Sequence, residues 1–290
     1  MRLLSWNIHK GIGGRDRRYR IERVIEVIAK AKPDVVCLQE VDSGVPRSKM
    51  HHQPELLAEK LNFAHSVYQR NVSVRDGGYG NLVLSRHPLR WQHDMCLRLN
   101  WRKPRGAQLC IVEAPKGPLL LVNWHLGLAE IERRWQVSTL LESKEFTEHA
   151  ALPTLIAGDF NDWRDQLHGE SFADAGFTHV TSPISSFRSF PAYMPMGSLD
   201  KAFVRGELVV RRARVLKTVP TRDASDHLPL VLDFDLHPTG DVSLTIDPLD
   251  VDARDPGMID VDAADPNPYD SNPYDPNPFE PGPTEPTEDG

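Results

Sequence analysis

Apolar and polar positions alternate through "LPLVLDFDL", so that Leu228, Leu230, Leu232, Phe234 and Leu236 share one side. A period of two is that of a strand with one buried face. Near the other end of the chain, "YRIERVIEVIAKAK" repeats differently. Ile21, Val24, Ile25 and Ile28 recur at helical spacing, and Pro33 stops the helix. Between these ends the two periods interleave. "RLLSWNI", "DVVCLQE", "GNLVLS", "AQLCIVE", "PLLLVNWHL", "TLIAGDFN", "LDKAFV" and "LVVRRARVL" read as strands. "PELLAEKLNF" reads as a short helix, and "LAEIERRWQVSTLLESKEF" as one long helix. Many strands mixed with helices predict a single layered α/β domain over residues 1–237.

From Pro238 onward the pattern is lost. Residues 238–290 hold fourteen acids and one arginine, leaving a tail of net −13 and a body of net +6. The segment "DPNPYDSNPYDPNPFE" repeats an Asn-Pro-aromatic unit three times. Such a run cannot bury enough apolar surface to offset its ordering entropy, so the tail is expected to be disordered. A mildly basic body suits an anionic substrate.

The cysteines Cys37, Cys96 and Cys110 are odd in number, and none lies in a CxxC. That disfavours a disulfide framework or a zinc site and suits a reducing compartment. "MRLLSWNIHKG" has no long apolar region and no small-residue cleavage site, and no run approaches a membrane span. The expectation is a cytoplasmic protein without a transmembrane segment.

The chemistry gathers where strands end. "LLSWN" ends at Asn7, "VVCLQE" at Glu40, "LLLVNWH" at His125, and "TLIAGD" at Asp159 with Asn161 two residues on. Ligands of layered α/β proteins collect at the carboxyl ends of strands. Asp226 and His227 enter the last strand, and Asp200 opens another. Oxygen donors in small number (Glu40, Asp226, Asn7) suit Mg2+, or Mn2+, which keep several waters and bind substrate phosphate. Two histidines, one with a carboxylate partner in Asp200, suit proton transfer and contact with a phosphoryl oxygen. No HExxH, GxSxG or Walker-type loop occurs. Zinc peptidases, serine hydrolases and P-loop NTPases are therefore disfavoured.

"SWNIHKG", "LQEVD", "GNLVLSRHP", "NWHLGL", "GDFNDW", "SLDKAFV" and "SDHLPL", in this order over residues 1 to about 236, resemble the endonuclease/exonuclease/phosphatase superfamily. Its members include DNase I, apurinic/apyrimidinic endonucleases, sphingomyelinases and inositol-polyphosphate phosphatases; the detail is most similar to small bacterial members. The resemblance implies a DNase I-like four-layer α/β sandwich of two packed, mostly antiparallel β-sheets with helices outside. It implies that Glu40 binds the metal with Asn7 and Asp226 near it, and that Asp159 aligns or deprotonates the attacking water. Asn161 would bind the nucleophile or the phosphate, and His227, held by Asp200, would contact the phosphate. His125 would serve the other flank, where apurinic/apyrimidinic endonucleases usually carry Tyr. Arg105 in "KPRGA" is a candidate phosphate contact or a surface arginine. The implied activity is metal-assisted attack of water on a phosphate ester in a nucleic acid, a phospholipid or a small molecule. A phospholipid or sphingomyelin-type phosphodiesterase is the alternative to a nuclease. A non-catalytic scaffold using the acidic tail, or a tail that regulates the cleft, stands beside them. His51 and His52 are expected in an exposed loop without partners, and Arg133 and Arg134 on the wet face of the long helix.

Overall fold

The computed structural model describes residues 1–167 and 171–237, so the acidic tail expected from residue 238 lies outside the described residues. Among the described residues twelve strands form two six-stranded sheets. The first holds β1 (Arg2–Asn7), β2 (Val35–Ser43), β3 (His65–Val74), β4 (Gly77–Ser85), β11 (Leu208–Val215) and β12 (Leu230–Leu236), in the order β11-β12-β1-β2-β4-β3. The second holds β5 (Leu89–Cys96), β6 (Gly106–Ala114), β7 (Gly117–His125), β8 (Thr154–Asp159), β9 (Thr178–His179) and β10 (Asp200–Arg205), in the order β5-β6-β7-β8-β10-β9.

Each sheet is antiparallel except for one central parallel pair, β1 with β2 and β7 with β8. A parallel pair needs a crossover, and a helix supplies it each time: α1 (Ile21–Ala31) between β1 and β2, and α3 (Glu130–Glu142) between β7 and β8. Helix α1 buries Ile21, Val24, Val27 and Ile28 and leaves Ile25 half-buried. It ends because Lys32 turns left-handed (φ 49°), its N–H returning to the Ile28 carbonyl, and because Pro33 cannot continue the helix.

Alternation along the strands builds three apolar layers. Leu3, Val35, Cys37, Leu119, Leu121, Leu155 and Leu232 meet between the sheets. Leu4, Trp6, Val36 and Leu38 face outward beneath α1 and α2 (Gln53–Leu61). Leu120, Val122, Trp124 and Ile156 face outward beneath α3. The molecule is thus helix, sheet, sheet, helix, the four-layer sandwich that the resemblance implies.

Three strands escaped the sequence pattern: β3, β5 and the two-residue β9, all at sheet edges. The long helix is in fact broken. Ser143 leaves the helical region and caps a separate α4 (Lys144–Thr147), its hydroxyl accepting from the Phe146 N–H at 3.2 Å. The last strand begins at Leu230, and Leu228 belongs to the turn that follows the short α5 (Val219–Ala224). The thiols of Cys37, Cys96 and Cys110 are free, and Cys37 is buried in the core between the sheets.

Toward one edge of the sandwich the layer between the sheets turns polar. Asn123 Oδ1 accepts from Gln39 Nε2 at 2.7 Å, and Asn123 Nδ2 donates to Gln108 Oε1 at 3.0 Å and to the Leu38 carbonyl at 3.1 Å. All three amides are fully buried. They stitch the two sheets directly behind the strand ends. Replacing Asn123 by Leu keeps the branched shape, with somewhat greater bulk, and strands its partners in a dry interior. We expect a loss of about 2–4 kcal/mol, because each stranded group costs about 1–3 kcal/mol. Urea unfolding measures it; an unchanged midpoint would show that the amide layer does not join the sheets.

Candidate active site

The inward-facing series of β1 is Leu3, Ser5, Asn7; that of β7 ends at His125, and that of β8 runs Leu155, Ala157, Asp159. The same alternation that builds the core therefore aims three polar side chains into the gap between the sheets. Asp159 is the hub. It is 1 % exposed, and its Oδ2 accepts from Asn7 Nδ2 at 3.0 Å across the sandwich. His125 Nε2 lies 3.3 Å from the same oxygen and His227 Nε2 3.6 Å from it. Oδ1 accepts the Asn161 N–H at 3.0 Å. Asn161, left-handed at φ 49°, anchors its amide on the Leu126 carbonyl at 2.9 Å. The Gly158 before the hub is obligatory: a Cβ there would lie 2.1 Å from the Trp124 carbonyl oxygen.

His227 is held from behind. Its Nδ1 is 2.9 Å from Asp200 Oδ2, and its backbone carbonyl accepts from Trp6 Nε1 at 2.7 Å. Ser225 Oγ donates to the Asn7 carbonyl at 2.7 Å, tying this turn to the end of β1. The two imidazoles have opposite electrostatics. Burial pushes His125 down and the Arg105 guanidinium adds to this, with Asp159 and Glu40 offsetting only part, so it sits at about 3. Burial pushes His227 the same way, but the carboxylates of Asp200 and Asp159 outweigh it and carry the ring up to about 10. At neutral pH the pair is one neutral ring and one imidazolium on either side of one carboxylate, the divergence that separates acid from base roles.

Glu40 does not end its strand, as the sequence suggested. β2 runs on to Ser43, and Glu40 sits in a bulge between Leu38 and Val41 with φ 55°. The bulge re-aims the side chain, as bulges beside active sites do. Burial raises its pKa, but Lys10, then His125, His9 and Lys103, hold it well below the usual carboxylate range, so the carboxylate is ionised. Lys10 Nζ donates to Glu40 Oε2 at 2.7 Å. The turn that carries Lys10 has three consecutive left-handed residues: His9 (φ 45°), Lys10 (φ 62°) and Gly11 (φ 75°). Its His9 N–H donates to Asn7 Oδ1 at 3.0 Å, and the His9 ring nitrogen Nδ1 is 3.8 Å from Asp226 Oδ1. The turn thus bridges Asn7, Glu40 and Asp226, an all-oxygen set. Among the described residues no three His, Cys, Asp or Glu side chains gather at ligating geometry. Two carboxylates and an amide oxygen nonetheless fit a hard cation that keeps most of its ligands as water.

The sequence reading missed His9 and Lys10, although both lie in the quoted "SWNIHKG". A lysine placed between a strand end and the glycines of "HKGIGG" was the available signal. Three of its expectations need correction. Arg133 is buried rather than on a wet face; it donates to the Leu128 carbonyl at 2.5 Å and lies 3.8 Å from Asp162, bracing the loops beside His125 and Asn161. Arg134 does reach solvent and pairs with Glu130 at 3.0 Å. His51 and His52 have partners: Tyr19 Oη at 2.9 Å from His51 Nδ1, and Ser43 Oγ at 2.9 Å from His52 Nδ1. Arg105 is no surface arginine. It is 7 % exposed, and its Nε is buried with no hydrogen-bond partner among the described residues.

Comparison with known proteins identifies the family. The chain is 30 % identical over 247 residues to the Escherichia coli K12 protein YbhP, covering 81 % of this chain and 96 % of that one. It is 33 % identical over 165 residues to the UPF0294 protein VV2535 of Vibrio vulnificus, covering 48 % of this chain and 54 % of that one. Among solved structures, an endonuclease/exonuclease/phosphatase from Beutenbergia cavernae matches with TM-score 0.66 and 22 % identity over 82 % of this chain and 72 % of that one. The Bacteroides thetaiotaomicron mannosyl-6-phosphatase Bt3783 matches with TM-score 0.63 and 19 % identity over 81 % of this chain and 100 % of that one. The model of the Endonuclease/Exonuclease/phosphatase family matches residues 4–227, a stretch that includes every candidate site residue from Asn7 to His227, and the chain belongs to that family.

Proposed function

We propose that this protein is a metal-dependent hydrolase that cleaves a phosphate ester by attack of water. The observation that carries the reading is the Asp159 hub: one buried carboxylate shared by Asn7, Asn161, His125 and an imidazolium at His227. Asp159 orients the attacking water and accepts its proton. As the new P–O bond forms, negative charge grows on the phosphoryl oxygens, the bond to the alcohol oxygen breaks with its electron pair, and that oxygen takes up a proton from solvent to leave as the alcohol. His227, fixed by Asp200, presents its charge to them, and such preorganised charge in a dry site stabilises the transition state more than it would in water. The neutral His125 and the Asn161 amide hold the opposite flank, and the unpaired Arg105 Nε supplies a further donor for a phosphate oxygen. A divalent cation held by Glu40, Asn7 and Asp226 would supply Lewis-acid polarisation of the phosphate; Mg2+ or Mn2+ suits those donors. Family membership supports phosphoester chemistry, and the mannosyl-6-phosphatase among its structural relatives supports a monoester as one substrate form to test.

The test is turnover of soluble phosphodiesters and phosphomonoesters by the purified chain with Mg2+, Mn2+ or a chelator. Turnover that survives full chelation would exclude the metal. Glu40→Gln should raise the metal concentration for half-maximal activity by about tenfold or more, the scale on which metal sites respond to a lost supporting group. An unchanged metal requirement in that variant would remove Glu40 from the site.

A further inference from the structure

The strand registers put several connections on one edge of the molecule. Gly106 pairs with His125, His125 with Asp159, and Asp159 with Asp200. The segments before β6, after β7, after β8 and before β10 therefore all leave the second sheet beside the candidate active site. In the first sheet, Asn7 and Glu40 lie toward the outgoing ends of β1 and β2, and Val215 pairs with Leu230 across the α5 connection. This catalytic edge has an unusual surface. Every large apolar side chain that the described residues leave exposed lies in a connection that starts from this edge, Trp135 more than a turn inside α3 and the rest in or beside the loops, and the loops of the opposite edge have none. Trp101 is 87 % exposed, Leu128 71 % and Ile131 69 %. Trp163, 50 % exposed, follows β8, and Met194 and Met196, 54 % and 53 % exposed, precede β10. Trp163 packs edge-on against Phe190 at 5.8 Å, and Phe190 lies 4.7 Å from the His227 ring, so this apolar rim reaches the site itself.

Isolated exposed apolar residues are ordinary, but their confinement to one edge marks an interaction surface. The charges there favour an anionic partner. Arg15, Arg17, Arg18, Arg98, Arg102 and Arg164 are exposed in the loops of this edge, where Asp16 and Asp76 are the exposed acids among the described residues; further exposed acids such as Glu22, Glu55, Glu142 and Asp174 lie in the helical stretches of the same connections. Asp16 is itself neutralised by Arg23 at 2.5 Å. Aromatic side chains with arginines could stack on bases. Leu128, Ile131, Met194 and Met196 cannot, yet such side chains enter the acyl boundary of a bilayer readily. Tryptophan beside them suits the headgroup level.

We infer that the catalytic edge docks on an anionic lipid surface, and that the phosphate ester cleaved there belongs to a lipid headgroup. The substrate half of this inference rests on the proposed hydrolase function; the docking half does not. No helix of the described residues is long and apolar enough to cross a membrane, so the contact would be peripheral.

The experiment uses the full chain and two vesicle preparations, phosphatidylcholine alone and an equal mixture of phosphatidylcholine and phosphatidylglycerol. Sedimentation should bring the protein down with the mixed vesicles and far less with phosphatidylcholine. The variant Leu128→Ser, Ile131→Ser, Met194→Ser, Met196→Ser should bind mixed vesicles about tenfold or more weakly, since binding scales with apolar area inserted. Its melting temperature and its turnover of soluble bis(p-nitrophenyl) phosphate should be unchanged, while turnover of vesicle lipid should fall with binding. A second variant, Arg15→Glu, Arg17→Glu, should lose the preference for anionic vesicles without touching an apolar side chain. Equal vesicle binding by all three proteins, or none by the wild type, overturns the inference. So does binding of a single-stranded oligonucleotide that the apolar variant loses while vesicles go unbound, which would make nucleic acid the occupant. If soluble turnover is absent but vesicle binding follows the variants, the hydrolase reading fails and the docking surface stands.

Discussion

Asp159→Asn should lower kcat by about 10²–10⁴ while leaving the fold intact, the range expected for a positioned proton-transfer group. The substitution keeps the shape of the side chain and the Asn161 N–H can still find an oxygen, so the turn after β8 survives. What disappears is the charge and one acceptor. Asn7 Nδ2, His125 Nε2 and His227 Nε2 all converge on Oδ2, and an amide NH2 there would face them as a donor. His227 would also lose one of the three carboxylates, Asp200, Asp159 and Asp226, that hold it as an imidazolium. The water loses its base and the phosphoryl group loses part of its fixed charge together. The measurement is kcat on a soluble phosphoester, with thermal melting to confirm the fold. A folded variant that keeps near-normal turnover would remove Asp159 from the chemistry.

His227→Ala should cost a similar factor in kcat, about 10²–10⁴. The informative comparison is with Asp200→Asn. Asp200 has one oxygen 2.9 Å from His227 Nδ1 and is itself fully buried, so its route to the phosphate runs through that ring. Groups that act as a unit are not additive. The double variant should therefore be little slower than His227→Ala alone. Losses that multiply would show that Asp200 acts independently and that the pairing is structural only.

Much of this site was readable because its positions obey the strand period. Asn7, His125 and Asp159 each continue the inward-facing series of a strand that opens apolar at Leu3, Leu119 or Leu155, so a strand ending in a polar residue was the available signal. The edge strands were not readable for the same reason in reverse. β5 is exposed at every second position, and its "RWQHD" reads as polar loop unless a neighbour is known to cover one face. Lys10 and Arg133 were missed because burial of a cation depends on distant partners. Glu40 lies 30 residues from Lys10, and Asp162 lies 29 residues beyond Arg133. The bulge at Glu40 likewise arises from the register with β4, which no local pattern in "LQEVD" encodes.

The position of β1 has a consequence for synthesis. The first strand is hydrogen-bonded on one side to β12, the last, with Arg2 opposite Asp233, and Trp6 reaches the His227 carbonyl across 221 residues. A nascent chain on the ribosome therefore holds Asn7 and Glu40 from the outset but lacks their counterparts until the end of the domain emerges. At about 5–20 residues per second this delay is on the order of tens of seconds. Through it β1 has an unpaired edge, an invitation to chaperones and to misassembly. A chain cut short before β12 lacks His227 and that edge's partner together. The candidate site therefore assembles only after β12 has been made.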